Sequence, residues 1–459
     1  AMLADYEHTH HAAHDVGLPA FNSDGGSTAE YPLQSRDADR LELSGPFAPG
    51  KVSWRVLGTH QNYRSDFDEN TVDPRFNSRG NPIGTNTTLA SDRVTTQSRG
   101  VAPELRLFAN GAVRVGGEYR RDDAGGPRTT VVTTRTVAGV VTNTDTGTGN
   151  SVPPAWREVA SGWMSSGAER WHTRLEAGVR FDRVRTWADT ATVTDSPALD
   201  LTDERWSADA GLSRRFGVIE PRVHVSSGFR VANLDERFFD DEIHAGMRVF
   251  GNPDLVPEQS KTLDLGLRAD GERGSLTFSA YRSDVEDLIS LKYLGQLYLI
   301  PRFQYTNIQR ARLEGLEMTA RTAVRGVGLA MEATLPRGRD LTTDKALTDV
   351  GGPRMSGELS FALPHVVPAG RAAFRVRWFG AVIADDRSSS EGEVNLMRRP
   401  AGITAAGEIG ANLFGSRVTF AVSNLFDHSY QEPMSFIPEA GRTFALSIRH
   451  DLEIPLGRH

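Results

Sequence analysis

The sequence predicts an all-β protein, a transmembrane antiparallel β-barrel of about 18 strands. Three observations carry that expectation. Apolar and polar residues alternate over many short segments, and the connections between those segments alternate between short and long. No run approaches the roughly 18 consecutive apolar residues that a membrane helix needs. Hydrophobic residues make up 38% of the chain and mean hydropathy is −0.39, values that would also suit a soluble domain. They fit a barrel because only every second strand residue faces lipid, while lumen and loops stay polar. The 45 glycines and 23 prolines point to many turns rather than long helices.

The first strand is expected from Leu3 to His11. Further along, Leu175, Ala177, Val179 and Phe181 alternate with Glu176, Gly178, Arg180 and Asp182. Leu263, Leu265 and Leu267 alternate with Asp264, Gly266 and Arg268, and Leu359, Phe361 and Leu363 with Glu358 and Ser360. Phe374, Val376 and Trp378 face away from Arg375 and Arg377, as Phe444, Leu446 and Ile448 do from Ser447 and Arg449. Successive strand side chains point to opposite faces, so each segment has one apolar and one polar side.

Short turns are expected at residues 45–50, 110–111, 167–170, 215–218, 271–274, 325–326, 364–370 and 414–417. Long polar segments separate them, at 14–37, 66–92, 122–154, 188–203, 231–259, 338–353 and 385–400. A soluble sandwich gives the same local alternation, but it has no reason to gather every long connection at one end. Short periplasmic turns and long extracellular loops are the transmembrane pattern. The Thr-rich stretch 129–150 reads as a tall hairpin tip. Trp54, Tyr63, Tyr119, Trp156, Trp163, Trp171, Trp187, Trp206, Tyr281 and Trp378 are expected in interfacial girdles, with ordinary core packing as the alternative.

The absence of cysteine excludes a disulfide framework, thiolate zinc sites and a cysteine nucleophile. A net charge of −7 provides no basic surface for nucleic acid, which is not expected as a partner. Nucleophile, metalloprotease, P-loop and dinucleotide motifs are all missing, so neither an enzyme nor a bound cofactor is expected.

Two histidine-bearing groups remain as ligand-binding candidates. His8, His10, His11 and His14 form the densest cluster; imidazole suits zinc, copper, nickel or haem iron, and His8 and His10 share a strand face. A solvated strand end is the plainer alternative. Asp240, Asp241 and His244 lie in the long connection 231–259, where an acidic loop tip is the alternative. Asp66, Asp68, Glu69 and Asp73 lack the EF-hand spacing and read as a solvated loop. Glu104, Arg106, Glu118, Arg180, Asp264, Glu317 and Arg375 are expected to line the lumen as paired charges.

One ordered set of short motifs goes further. Gly228-Phe229-Arg230 is followed by Gly251-Asn252-Pro253-Asp254-Leu255, Pro257-Glu258, Tyr305-Thr306-Asn307 and Glu314-Gly315-Leu316-Glu317. Near the C-terminus come Ser423-Asn424-Leu425-Phe426-Asp427, Tyr430, Ile437-Pro438-Glu439 and Gly441-Arg442-Thr443-Phe444. In this order they resemble the barrel of TonB-dependent outer-membrane receptors. Haem receptors of that family place a histidine between two boxes like those at Phe229 and Asn252, although Phe229-Arg230-Val231-Ala232 departs from the first box.

The resemblance implies a barrel of 22 strands closed by an N-terminal plug, of which residues 1–459 would be the barrel without the plug and about four strands. It also implies location in the bacterial outer membrane, surrounded by its lipid, and uptake of a scarce large ligand such as a ferric siderophore, haem or a cobalamin-like chelate. Energy would come from the TonB system through the plug. A plug-less, porin-like passive pore is the alternative.

Overall fold

The computed structural model describes residues 3–17, 28–48, 51–108, 112–189, 199–238, 240–243, 247–297, 300–347, 350–364, 366–386, 395–430 and 439–450. The wall opens with β1 (Leu3–Gly17), β2 (Thr28–Ala48), β3 (Val52–Phe76), β4 (Pro82–Leu107) and β5 (Val113–Thr136). It continues with β6 (Val141–Arg170), β7 (Thr173–Ala188), β8 (Leu199–Arg214) and β9 (Ile219–Arg230). An excursion then carries helix α1 (Leu234–Phe238) and strands β10 (Asp240–Ile243) and β11 (Met247–Phe250).

The wall resumes with β12 (Glu258–Gly271), β13 (Gly274–Leu297), β14 (Ile300–Val324), β15 (Val327–Asp340), β16 (Arg354–Ala362) and β17 (Arg371–Phe379). A separate ladder, β18 (Val382–Asp386) with β19 (Asn395–Arg399), precedes β20 (Gly402–Leu413), β21 (Ser416–Ser423) and β22 (Thr443–Arg449). Setting aside β10, β11, β18 and β19, the other 18 described strands pair antiparallel with their wall neighbours, β9 joining β12 and β17 joining β20.

Register resolves the wall into two faces. Ion pairs mark one of them: Arg55 with Glu42 at 2.8 Å, Arg180 with Glu118 at 3.1 Å, and Glu358 with Arg375 and Arg371 at 2.5 and 2.7 Å. Asp264, Arg268, Glu317 and Arg449 share this parity. Toward the short turns the other face is apolar and bare, while ion pairs such as Arg312 with Asp284 and Arg185 with Asp200 stand on it further up the strands. Leu265 there is 51% exposed and Leu446 68%, with Leu263, Leu267, Leu316, Phe374 and Phe444 also open. In water a continuous apolar face of this extent would drive association, whereas in a bilayer it is the lipid-facing band. The ionic face is then the lumen, as the alternation predicts.

The structure revises three expectations. The turn expected at 167–170 lies at Trp171 and His172, whose φ angles of 50° and 60° form the tight hairpin while the ladder runs on to Arg170 and Thr173. Residues 66–92 and 122–154 are not open loops: β3 pairs with β4 up to Phe76–Pro82, and β5 with β6 up to Arg135–Val141. Their threonines and valines suit paired strands. At about 3.3 Å per residue, strands of this length span roughly 80–100 Å, far beyond a membrane about 30 Å thick. Finally, Tyr63, Trp163 and Tyr281 have lumen parity and do not belong to a girdle. Trp163 and Tyr281 sit opposite Gly116 and Gly315 in register, where no side chain competes for the lumen face. Outward, Phe181 packs on Trp206 with ring centroids 5.0 Å apart, and Trp156 stacks on Trp187 at 6.2 Å.

A pinned excursion at the barrel mouth

The motif residues between β9 and β14 converge on one assembly at the end of the wall opposite the short turns. Arg230, the last residue of β9, forks onto Glu258, the first of β12, with Nε donating to Oε2 at 2.8 Å and Nη2 to Oε1 at 2.6 Å. Its Nη1 donates to Glu236 at 2.8 Å. Glu258 is buried and also accepts the Ile289 backbone N–H at 2.8 Å, so β9, α1, β12 and β13 meet at two carboxylates. Such charge-assisted forks are among the stronger hydrogen bonds in proteins, and their geometry fixes where both strands end.

The helix is only five residues long, and its start is satisfied reciprocally. Asn233 Oδ1 accepts the Glu236 N–H at 2.7 Å, and Glu236 Oε2 accepts the Asn233 N–H at 2.8 Å. This is a capping box, which settles two backbone donors that would otherwise be unpaired. One residue later Arg237 is 2% exposed and donates to Pro253 O and to Asp203, each at 3.3 Å. Burial pushes its guanidinium below the ordinary value, and the Asp203 carboxylate opposes that shift.

The return limb is tied as firmly. Asn252 Nδ2 donates to Tyr305 O at 3.1 Å, and the Asn252 N–H donates to Glu236 O at 2.9 Å. Asn307 Nδ2 donates to Asp287 O at 2.6 Å and to Val256 O at 3.0 Å, and Asn307 Oδ1 accepts the Val256 N–H at 3.1 Å. A Cβ on Gly251 would stand 2.5 Å from the Arg237 carbonyl carbon, so only glycine permits this backbone crossing. Ala232, Leu255 and Ile289 pack with Tyr305 beneath, and Phe238 packs with Ala155 and Ala188. β11 then adds parallel to β14, Arg248 to Phe250 lying beside Arg302 to Gln304.

The structure thus gives the paired motifs a role: they hold both ends of the excursion. Asp240 and Asp241 belong to β10, in register with Phe250 and Val249, and His244 lies outside the described residues. The other histidine group is placed elsewhere. His8 Nδ1 is 2.8 Å from Asp39 and His10 Nδ1 is 2.5 Å from Asp37, with Tyr6 Oη donating to Asp39 at 2.7 Å. Asp37 and Asp39 share parity with Leu41 and Leu43, so His8 and His10 stand on the outer face rather than over the lumen. His11 and His14 follow in β1 opposite Arg36 and Leu33. Among the described residues no three His, Asp or Glu side chains gather as a metal site.

Sequence reasoning quoted Pro257-Glu258 as a motif but gave Glu258 no task, and it missed Glu236 and Arg237. The Asn233 to Glu236 spacing of a capping box was the available signal for Glu236. Nothing local marks Arg237, whose partners Asp203 and Pro253 are distant in sequence.

Comparison with known proteins agrees with this architecture. Over 316 residues the chain is 27% identical to heme/hemopexin utilization protein C of Haemophilus influenzae strain 86-028NP, covering 60% of this chain and 40% of that protein. Over 336 residues it is 25% identical to the hemin receptor of Yersinia enterocolitica, covering 65% and 45%. The chain therefore spans less than half the length of these curated relatives. Among solved structures, copper transporter OprC superposes with a TM-score of 0.68 at 15% identity, covering 97% of this chain and 75% of that one. The ferric yersiniabactin uptake receptor FyuA of Yersinia pestis gives 0.59 at 12% identity, covering 97% and 66%. Those two likenesses show the fold. With the family model matched over residues 5–425, the chain belongs to the TonB-dependent receptor-like β-barrel family of the bacterial outer membrane.

Proposed function

We propose that this chain is the barrel part of an outer-membrane active-transport receptor for a scarce large ligand, with haem as the first candidate. The observation that carries the proposal is the pinned excursion, whose clamps fix β9, α1 and β12 at the mouth and whose β10 includes Asp240 and Asp241; in this reading they act with His244, three residues further along the sequence. Imidazole is a natural ligand for haem iron, and two relatives are described as acting on haem or hemin. A ferric siderophore or cobalamin-like chelate would use the same base with different tip contacts. TonB coupling through a plug domain belongs to the proposal, as does the absence of any catalytic step. His8, His10, His11 and His14 form a second proposed contact. The outward register of His8 and His10 makes their share of it an exterior one, while His11, in register with Arg36, has the lumen parity.

The test uses the full-length receptor in a strain lacking its own haem receptors, grown with haemin as the sole iron source. His244→Ala should lower haemin binding at least tenfold and abolish that growth. Unchanged growth would remove haem as the ligand read by this tip. A large, steady single-channel conductance from the full-length protein would favour the passive pore instead.

A further inference from the structure

Three rows of the lumen face on β6, β7 and β8 lie beneath α1. Register aligns Ala155, Ala188 and Leu199 in the upper row, Arg157, Thr186 and Leu201 in the middle one, and Val159, Val184 and Asp203 in the lower one. Apolar contacts cover the outer two: Phe238 packs with Ala155 and Ala188, and Val231 with Val159 and Val184. The middle row is thus shut in between two apolar clusters, and Thr186 is only 1% exposed. Arg237 precedes Phe238 in α1 and reaches Asp203 in the lower row, so its side chain crosses the middle one.

This closed space holds polar groups whose bonding is incomplete. Among the described residues neither Thr186 Oγ1 nor Arg237 Nε has a hydrogen-bond partner. Both side chains are almost wholly buried, where an unmet donor is costly.

The carboxylates beside the two guanidiniums stand off from them. Asp203 is 3.3 Å from Arg237 and Asp122 is 3.8 Å from Arg157, against about 2.7–2.9 Å for a close charged pair. Asp122 is shared with Arg120 at 3.3 Å, and Glu236 already accepts from Arg230 and the Asn233 N–H. Burial lowers the Arg237 guanidinium, Asp203 opposes that shift, and the like charge of Arg157 adds to it. Two cations are therefore near each other in a place closed to bulk water.

We propose that this chamber binds one small monoanion of chloride size, which accepts from Arg237 Nε and Thr186 Oγ1 and faces the Arg157 guanidinium. Both unmet groups can donate, and an ion that brings no hydrogens of its own suits them better than water, which needs partners for two. Its charge also offsets the repulsion between the two guanidiniums, an effect that burial strengthens. The apolar clusters above and below leave an organic acid nothing polar to meet. Because Arg237 belongs to α1 and Thr186 to β7, the ion ties the excursion to the wall. The assignment does not depend on which ligand the mouth takes.

The experiment is diffraction from crystals of the full-length receptor soaked in sodium bromide, whose anomalous signal separates halide from water. It is paired with hydrogen exchange over residues 234–238 in sodium bromide and in sodium gluconate at equal ionic strength, gluconate being too large to enter. An anomalous peak should stand beside Thr186 Oγ1 and Arg237 Nε. Exchange should slow about tenfold when bromide is about ten times its dissociation constant. Thr186→Val keeps the shape and removes the hydroxyl, so it should lose the peak and the bromide dependence, whereas Thr186→Ser should keep both. Density without anomalous signal would make the occupant a water and overturn the proposal. Equal exchange in the two salts would overturn it as well. Should Thr186→Val fail to fold, the peak and the two salts on the unaltered protein still decide.

Discussion

Two kinds of extracellular connection leave the same wall. The hairpins β3–β4 and β5–β6 simply prolong their ladders, closing with tight turns far above the membrane. The β9–β12 connection abandons the ladder and folds back on itself, held by side chains: Arg230, Glu236, Glu258, Asn252 and Asn307. In the first kind the backbone settles its own hydrogen bonds, so many side chains are interchangeable. In the second, backbone groups at both ends depend on named side chains, and small changes propagate. The difference explains why one connection is compositionally plain and the other reads as motifs.

The largest expected effect is at Glu258. Glu258→Ala removes the fork to Arg230 and strands the buried Ile289 N–H. The combined cost is about 3 kcal/mol, on the order of a hundredfold in local opening. Hydrogen exchange at Ile289 and protease cleavage within 239–246 should both rise by that order while the wall stays folded in a heat-modifiability gel. Exchange within threefold of the parent would mean the excursion does not depend on the clamp.

Gly251→Ala comes next. The added Cβ meets backbone of Arg237 and Phe238, which cannot yield as a flexible side chain would. Overpacking of this kind costs about 2 kcal/mol, measurable as a roughly thirtyfold gain in cleavage of the excursion. Normal protection would show that α1 can shift away at little cost. Smaller again is Asn233→Ala, which undoes half of the capping box for about 1 kcal/mol. Asn233→Asp should restore most of the protection, and failure to do so would point to a role other than capping.

The same contrast governs what could be read in advance. Facing was legible because it depends only on the two-residue period: Leu263, Leu265 and Leu267 separate from Asp264 and Arg268 by parity alone. The 18 wall strands and the alternation of turn lengths followed from turn residues. The extent of β5 and β6 did not. A threonine-rich polar stretch satisfies a loop or a ladder equally until its partner is known, and partnership is non-local. The outward placement of His8 and His10 was hidden for a related reason: alternation in β1 alone does not say which face meets lipid, and the decision comes from Leu41 and Leu43 on β2. At the mouth, the motifs located the clamp but not its chemistry, since Arg237 reaches Asp203 and Pro253 only once the chain is folded.

The smallest effect is expected at the tip of β5–β6, and it tests the other half of the comparison. The turn is closed by the Gly139 N–H to Thr136 O and the Thr136 N–H to Val140 O, each at 2.9 Å. Gly139 has φ +80° with nothing within 4 Å of a would-be Cβ, and Val137 and Val140 beside it are 71% and 62% exposed. Among the described residues no side chain from another element holds this point. Lengthening such a loop costs only about 0.6 kcal/mol per doubling, and the ladder below keeps its own hydrogen bonds. An epitope inserted between Gly139 and Val140 should therefore leave assembly and haemin-dependent growth unchanged, and antibody should reach it on intact cells. The same epitope inserted after Asn252 should abolish that growth, because it separates the Asn252 contacts from Leu255 and Val256. Equal damage at both positions, or labelling only after the cells are broken, would show that the tall hairpins are held as tightly as the clamp or that the wall is oriented the other way.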